Sequence, residues 1–221
     1  MSLLPNPTSY TGNDCVVPTQ VIRRYLKKDK PINGIIHIGS HECQESKMYL
    51  EFGIGSNRTI WIDAIPKKVD QAVSRGYRVF HGVVTDVDDQ DIIFHVSSNE
   101  ESSSIFDLGT HKQHHGHIHY VEDLKLKTTT LPTLINRNSL DIAGYNFINL
   151  DIQGAELKAL KGMESLLGQI DYIYCEANEE ELYVGCALIH QIDEYLMNFG
   201  FKRMVTYMTK WKWGDALYVK V

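Results

Sequence analysis

Asp151 stands where a carboxylate could take part in chemistry. It follows the apolar run FINL, and the chain continues as DIQGAE. A buried strand of this composition would deliver Asp151 to the carboxyl edge of a sheet, and Gly154 would let the next helix pack closely. A carboxylate there could attract a cationic group or accept a proton from a hydroxyl. The alternative is that Asp151 only caps the helix.

Two residues nearer the N-terminus, Gly39 and Asp63, have the pattern of a nucleoside site. Gly39 ends the β-branched run GIIHIG, and Asp63 ends the next run, TIWID. A glycine after a first strand lets the backbone approach a ligand, and an acid after the second can accept both ribose hydroxyls. No G-x-G-x-x-G motif is present, so a pyrophosphate would lack its cradle. The pattern favours a nucleoside without phosphates, against the alternative of a turn glycine and a surface acid.

A third acidic segment, EANEEELY, follows a further apolar run. Its Glu176 and Asn178 would lie beside Asp151 if the two strands are neighbours. Carboxylate and amide oxygens are the ligands that Mg²⁺ prefers, and a metal would lower the pKa of an acceptor hydroxyl. These three residues are therefore candidate Mg²⁺ ligands. The alternative is a solvated acidic loop.

Histidines and tryptophans supply the remaining candidate groups. The run from His111 to His119 contains five histidines but no cysteine, and no rigid helical H-x-x-x-H frame is evident in it. We therefore expect a solvated loop rather than a zinc site, although one histidine there could serve as a general base. Trp211 and Trp213 could stack on a sugar, but core packing in a hairpin is the favoured interpretation.

The elements that position these residues alternate between strands and helices. Apolar β-branched runs at 34–39, 59–63, 77–84, 145–150 and 171–175 predict strands, and periodic segments between them predict helices, including one over 155–167. The segments 201–208 and 216–221 predict a closing β-hairpin. This order indicates an α/β fold with a doubly wound, mostly parallel sheet, which binds ligands beyond the carboxyl ends of its strands. We expect an irregular lead-in over residues 1–17, one domain over 18–221, and a lid over 99–121.

Composition excludes several classes of partner. The 221 residues carry a formal net charge of −6 and a pI near 5.9, which leaves no basic surface for nucleic acid. No segment has the length and apolar character of a membrane span or a secretory leader. Four cysteines without a C-x-x-C pair are typical of a reduced protein, so we expect a cytoplasmic location and no membrane partner.

The segment DIQGAE closely resembles the D-x-x-G-A-E signature of the FkbM family of methyltransferases. The resemblance extends over roughly residues 34–176: HIGSHECQE is similar to the donor-binding turn, WIDAIP to the second-strand acid, SSSIF to the serine-rich loop and LKTTTLPTLI to the lead into the fourth strand. Two positions depart from the family pattern, because His37 stands in place of an aspartate and Cys43 in place of a glycine.

The resemblance implies a Rossmann-like class I methyltransferase fold and S-adenosylmethionine as cofactor. It implies that Gly39, Ser40 and His41 line the methionine side of the donor, that Asp63 binds the ribose, and that Asp86 or the backbone near it meets the adenine. Ala64 and Ser104 are carried over as donor-binding positions, and Asp151 and Gln153 as the residues that face the sulfonium and the acceptor.

The expected reaction is methyl transfer to a hydroxyl oxygen of a sugar, a glycan or a similar small molecule. Two alternatives stay open. A nucleotide-dependent oxidoreductase would share the fold but is disfavoured by the missing phosphate-binding glycines. A catalytically silent binding module is suggested by the departures at His37 and Cys43.

Overall fold

The computed structural model describes residues 17–221, which form an α/β structure. In chain order the strands are β1 Ile35–Ile38, β2 Thr59–Asp63, β3 Val79–His81, β4 Val83–Val84, β5 Asp91–Ser97, β6 Tyr120–Thr129, β7 Phe147–Leu150, β8 Tyr172–Asn178, β9 Phe201–Met208 and β10 Trp213–Lys220. The α-helices are α1 Thr19–Arg23, α2 Ser46–Glu51, α3 Pro66–Ser74, α4 His111–His114, α5 Leu131–Arg137, α6 Glu156–Gly162 and α7 Ile189–Met197. Short 3₁₀ turns span Ser56–Arg58 and Glu164–Leu166. The predicted lead-in lies outside the described residues, except for Val17.

Seven strands form one sheet in the order β3-β2-β1-β7-β8-β10-β9. The first five of these are mutually parallel, while β10 runs antiparallel between β8 and β9. The predicted doubly wound sheet with a C-terminal hairpin is confirmed. The strand order reverses between β1 and β7, so the carboxyl ends of these two strands form the switch point at which such sheets bind ligands.

The central strands are predominantly apolar because both faces of the sheet are covered. All four residues of β1 are buried, and so are all four of β7. Alternate residues point to opposite faces: Ile36 and Ile38 belong to a core with α5, α6 and α7, whereas Ile35 belongs to a core with residues of α2 and α3. Packing on both faces holds the strand ends in fixed positions.

The run 77–84, predicted as one strand, is divided at Gly82. Its first part, β3, is the edge of the large sheet, and its second part, β4, belongs to a small sheet of order β4-β6-β5. A Cβ at Gly82 would lie 2.5 Å from Leu134 Cδ1, so the chain turns there against α5. Strand β6 pairs parallel with β4 and antiparallel with β5. Residues 98–119, between β5 and β6, lie over the carboxyl edge of the large sheet.

The helix predicted over 155–167 is shorter than expected. Helix α6 ends at Gly162, and a 3₁₀ turn follows at Glu164–Leu166. A Cβ at Gly162 would lie 2.0 Å from the carbonyl oxygen of Thr85, so close packing against the turn after β4 requires glycine there. Within residues 17–221, no helix has both the length and the apolar character needed to cross a bilayer.

Candidate active site

The turns after β1 and β7 contact each other through their backbones. The Asp151 amide donates to the carbonyl of Ile38 at 2.9 Å, and Gly39 adopts a φ of +92°. A Cβ on Gly39 would lie 1.7 Å from the carbonyl oxygen of Asp151. Glycine is therefore required at position 39 for its conformation and for space, and it holds Asp151 beside the first turn.

Asp63, at the end of β2, holds the turn after β1 in place through hydrogen bonds. Its Oδ2 accepts from the His41 amide at 2.7 Å and from Ser40 Oγ at 3.4 Å, while Oδ1 accepts from the Ile65 amide at 2.8 Å. Burial raises the pKa of Asp63, and the two backbone hydrogen bonds oppose that shift. The carboxylate thus orients the turn after β1 and still borders the cavity above it.

Gln153 joins the two acids at the ends of β7 and β8. Its Nε2 donates to Asp151 Oδ1 at 2.6 Å and to Glu176 Oε2 at 2.7 Å, and its Oε1 accepts from the Tyr183 hydroxyl. Gln153 has a φ of +54°, an unfavourable conformation for a residue with a side chain. Such strain persists where surrounding contacts impose it, and it clusters at functional sites.

The two joined acids have perturbed protonation. Burial raises the pKa of Asp151, with the Gln153 hydrogen bond opposing it. Burial also raises the pKa of Glu176 well above its usual range, and the negative charge of Asp151 adds to the shift. Two neighbouring carboxylates with raised pKa values favour the sharing of one proton. The pair borders the cavity and can accept a second proton.

Glu156 explains the last position of the DIQGAE motif. It is fully buried, and its Oε1 accepts from the amides of Ile152 at 3.0 Å and Gly154 at 3.2 Å. Burial raises the pKa of Glu156 to about 7. Gly154 has a φ of +101°, and a Cβ there would lie 2.8 Å from Cys186 Cβ. The motif is a turn whose glycine and glutamate fix the backbone between Asp151 and Gln153.

The serine-rich segment after β5 covers this edge of the sheet. Its side chains bond within the segment, for example Ser97 Oγ to Asn99 Oδ1 at 2.7 Å. Lys68 of α3 has a buried side chain that forms ion pairs with Glu100 of the cover and, at 3.4 Å, with Glu42 of the first turn. One lysine thereby connects three elements around the site.

A cavity of about 320 Å³ lies between these turns and the cover. Seven of the residues proposed from sequence border it, namely Gly39, His41, Asp63, Ala64, Asp151, Gln153 and Glu176. An apolar side is formed by Ile65, Val83, Val84 and Phe94. The volume and the mixture of apolar walls with a few convergent polar groups are typical of a small-molecule site.

Four other proposed residues do not border the cavity. Ser40 supports Asp63, and Ser104 Oγ donates to the carbonyl of Gln153 at 2.7 Å. Asp86 lies in a separate depression beside α6, with Lys158 at 3.6 Å. Asn178 is fully buried, and its side-chain amide has no hydrogen-bond partner among the described residues.

The geometry does not fit the predicted Mg²⁺ site. Asp151 and Glu176 do converge, but the Gln153 amide donates to one oxygen of each, so these two oxygens are already engaged by a hydrogen-bond donor. Asn178 stands apart from the cavity. Across residues 17–221, no cluster of three or more His, Cys, Asp or Glu side chains is arranged to hold a metal ion.

The predicted lid and hairpin supply cavity residues that sequence analysis did not single out. His111, His115 and Ile118 border the cavity from the histidine-rich segment, and Trp213 borders it from the start of β10. Trp211 and Trp213 are half-buried, and Trp213 packs against the cluster of Leu108, Leu182, Tyr183 and Cys186, as the favoured packing interpretation expects. The density of histidines signalled an unusual segment, but the long-range placement of the tryptophans could not be seen in the sequence.

Comparison with known proteins identifies the fold family. The model of the methyltransferase FkbM domain matches residues 35–203. The chain belongs to the FkbM methyltransferase family. It is an S-adenosylmethionine-dependent methyltransferase, and no curated protein sequence matches it. In this FkbM chain the departures at His37 and Cys43 lie behind the cavity: Cys43 has a φ of +57°, which explains the glycine expected there, and His37 Nδ1 is 2.8 Å from the Tyr49 hydroxyl.

The solved structures to which the chain is similar have low sequence identity with it. Sp1610 of Streptococcus pneumoniae, a candidate tRNA (m1A22) methyltransferase, is 11% identical over 91% of this chain and 68% of its own, with a TM-score of 0.46. A SAM-dependent methyltransferase from Aquifex aeolicus is 14% identical over 91% of this chain and 88% of its own, with a TM-score of 0.44. M. capricolum TrmK, solved with S-adenosyl-homocysteine, is 9% identical over 91% and 67%, with a TM-score of 0.44.

Proposed function

We propose that this methyltransferase transfers the methyl group to a hydroxyl oxygen of a sugar, a glycan or a similar small molecule. The observation that carries the proposal is the pair Asp151 and Glu176, joined by Gln153 at the edge of the same cavity that Asp63 borders. A paired acid beside a donor site is suited to removing a proton from an alcohol. The choice of a sugar follows the family resemblance.

The donor is assigned to the end of the cavity formed by β1, β2 and β4. Gly39 and His41 would lie along its methionine, and Asp63 and Ala64 would meet its ribose. The apolar side chains of Ile65 and Val83 offer a surface for adenine, and Val84, two residues before Asp86, borders the cavity where Asp86 itself does not. Ser40 and Ser104 would act indirectly, through the hydrogen bonds that hold Asp63 and Gln153.

When bound, S-adenosylmethionine supplies an activated methyl group on a cationic sulfonium. The acidic, cation-free lining at Asp151 fits such a charge. Gln153 holds Asp151 and Glu176 in register, so the proton of an acceptor hydroxyl can pass to the pair. General-base help of this kind contributes roughly 10²–10⁴-fold to rate. The cover over the sheet edge partly encloses the cavity, and charge interactions are stronger in a partly enclosed site than in open water.

Because Asp151 and Glu176 both border the cavity, proton removal is assigned to these two carboxylates. The departures at His37 and Cys43, which suggested a silent binding module, leave the cavity lining intact. Free buried thiols at Cys43, Cys175 and Cys186 agree with the expected cytoplasmic location.

Donor binding is tested by calorimetric titration with S-adenosylmethionine, S-adenosylhomocysteine and NAD. We expect the first two to bind and NAD not to bind. Asp63→Ala removes a charged acceptor, so donor affinity should fall by about 1.5–3 kcal/mol, or roughly 10–150-fold. Asp91→Ala is the matched control, because Asp91 is 87% exposed and pairs only with Lys127 on the surface. Wild-type donor affinity in a folded Asp63→Ala variant would overturn the assignment.

A further inference from the structure

Three rings form one side of the cavity away from the proposed donor end. We call His111, His115 and Trp213 the aromatic wall; they come from α4, the residue after it, and the start of β10. The centroids of His111 and His115 are 4.9 Å apart, and those of His115 and Trp213 are 6.4 Å apart. Segments that are distant in sequence thus converge on one surface.

His111 is placed to hydrogen-bond a ligand. The residue is 4% exposed, and its Nδ1 is buried without a hydrogen-bond partner among the described residues. Leaving a buried polar atom unsatisfied costs roughly 1–3 kcal/mol. Burial, together with the neighbouring histidines, lowers the pKa of His111 to about 4, so the ring is neutral near pH 7 and can donate at one nitrogen and accept at the other. Its partner would be a neutral polar group such as a hydroxyl.

Acidic side chains outnumber basic ones around the cavity. Five carboxylates border it, from Asp63, Glu100, Glu101, Asp151 and Glu176. No lysine or arginine of residues 17–221 borders it, and Lys68, the buried cation nearby, is paired with Glu42 and Glu100. Even with one proton shared by Asp151 and Glu176 and with Glu100 paired to Lys68, the lining keeps a net negative charge. A phosphate or carboxylate on an acceptor would find no free lysine or arginine there, in a partly enclosed space where repulsion is poorly screened.

From these observations we infer that the aromatic wall is the acceptor subsite, and that it takes an uncharged ring-shaped alcohol while rejecting anionic acceptors. The inference rests on the proposed function and adds the charge and shape of its substrate. Flat ring faces at His115 and Trp213 would contact the apolar face of a pyranose, and His111 would bond a ring hydroxyl. Phosphorylated sugars, uronates and nucleic acid are excluded as acceptors by the same lining.

The test compares matched ligands in the presence of S-adenosylhomocysteine. Saturation-transfer NMR is used to titrate methyl glycosides of neutral hexoses and 6-deoxyhexoses against the corresponding uronates and hexose 6-phosphates. We expect at least one neutral glycoside to bind ten-fold or more tightly than its anionic counterpart, with a gap that narrows as salt is added. Equal or tighter binding of the anionic partners, or no binding by any neutral glycoside, would overturn the inference.

Variants of the wall separate this inference from the proposed function. Trp213→Ala and His111→Asn should weaken the neutral glycoside at least five-fold, and Trp213→Phe should retain most of the affinity because it keeps a ring. His190→Asn is the control histidine, since His190 is exposed on α7. S-adenosylhomocysteine affinity, measured by calorimetry, should not change in any of them. Unaltered glycoside binding in Trp213→Ala and His111→Asn, with donor binding intact, contradicts the acceptor subsite while leaving the donor assignment standing.

Discussion

At the scale of single residues, Asp151 is the group on which the chemistry depends most. It exposes its side chain to the cavity, and its carboxylate is held by Gln153 rather than by the core. Asp151→Asn keeps the size of the side chain but loses the negative charge and the ability to take a proton. We expect normal folding and a turnover lower by on the order of 10²-fold or more, measured by release of S-adenosylhomocysteine.

The same assay has two controls. Asp91→Asn changes an exposed acid far from the cavity and should retain wild-type turnover. Assays run in EDTA should give the same ratio between Asp151→Asn and wild type, because the carboxylates act without an ion between them. Wild-type turnover in Asp151→Asn, with wild-type melting, would reduce Asp151 to a turn residue.

Sequence analysis found the acids but not what connects them. Asp151 and Glu176 were expected to converge because neighbouring parallel strands end at one edge, and they do. Oxygen ligands at such an edge suggested a metal, whereas the structure puts an amide there. The orientation of Gln153 depends on its positive φ and on the Tyr183 hydroxyl, which lies 30 residues away in sequence. No local pattern encodes that contact.

At the scale of elements, the ion pairs of Lys68 connect α3 to the serine-rich segment that covers the edge of the sheet. Lys68→Met keeps the buried stem and removes the charge that joins Glu42 and Glu100. Because both acids are solvent-accessible, we expect a loss of only about 1 kcal/mol in unfolding free energy. Amide hydrogen exchange over residues 97–104 should become several-fold faster, and donor affinity should fall.

Lys67→Met is the control for that variant, since Lys67 is an exposed neighbour on the same helix. It should leave exchange in the serine-rich segment unchanged. Wild-type exchange rates in Lys68→Met would show that the hydrogen bonds within the segment hold the cover without help from α3.

Element boundaries were predicted well where one packing pattern persisted and poorly where tertiary contacts intervened. The runs for β1, β2 and β7 were recognised because double burial makes them predominantly apolar. The break at Gly82 and the end of α6 at Gly162 depend on close approach to Leu134 and Thr85, respectively. Both partners are distant in sequence, so helical and strand periodicity continued through the breaks.

At the scale of the whole molecule, buried acids make stability depend on pH. Burial raises the pKa of Glu45 and Glu156 to about 7, and that of Asp215 to about 8. The folded chain therefore holds protons that the unfolded chain has released, and its unfolding free energy falls as pH rises from about 5 to about 8. We expect Tm to fall by roughly 3–6 °C between pH 6.5 and 8.5, measured by calorimetry.

Asp215→Asn should flatten this profile, because the amide keeps the shape of the protonated acid beside the Tyr174 hydroxyl. Starting at pH 6.5 avoids His111, whose lowered pKa has the opposite effect: it costs stability only as pH falls from about 6.5 towards 4. A Tm that is constant or rises over this window contradicts the assignment of protonated buried acids.

The pairing of β4 with β6 has a consequence for how such a protein can diverge. Val84 lies opposite Thr129, so the chain leaves the main body and returns to it at one point. The segment between these residues includes the cover and two rings of the aromatic wall, and it contacts the main body again through Ser104, Gly109 and His111. Exchange of that segment between relatives would alter which alcohol is methylated. The donor turns at Gly39 and Asp63 lie outside it, so acceptor specificity can change while donor binding is retained.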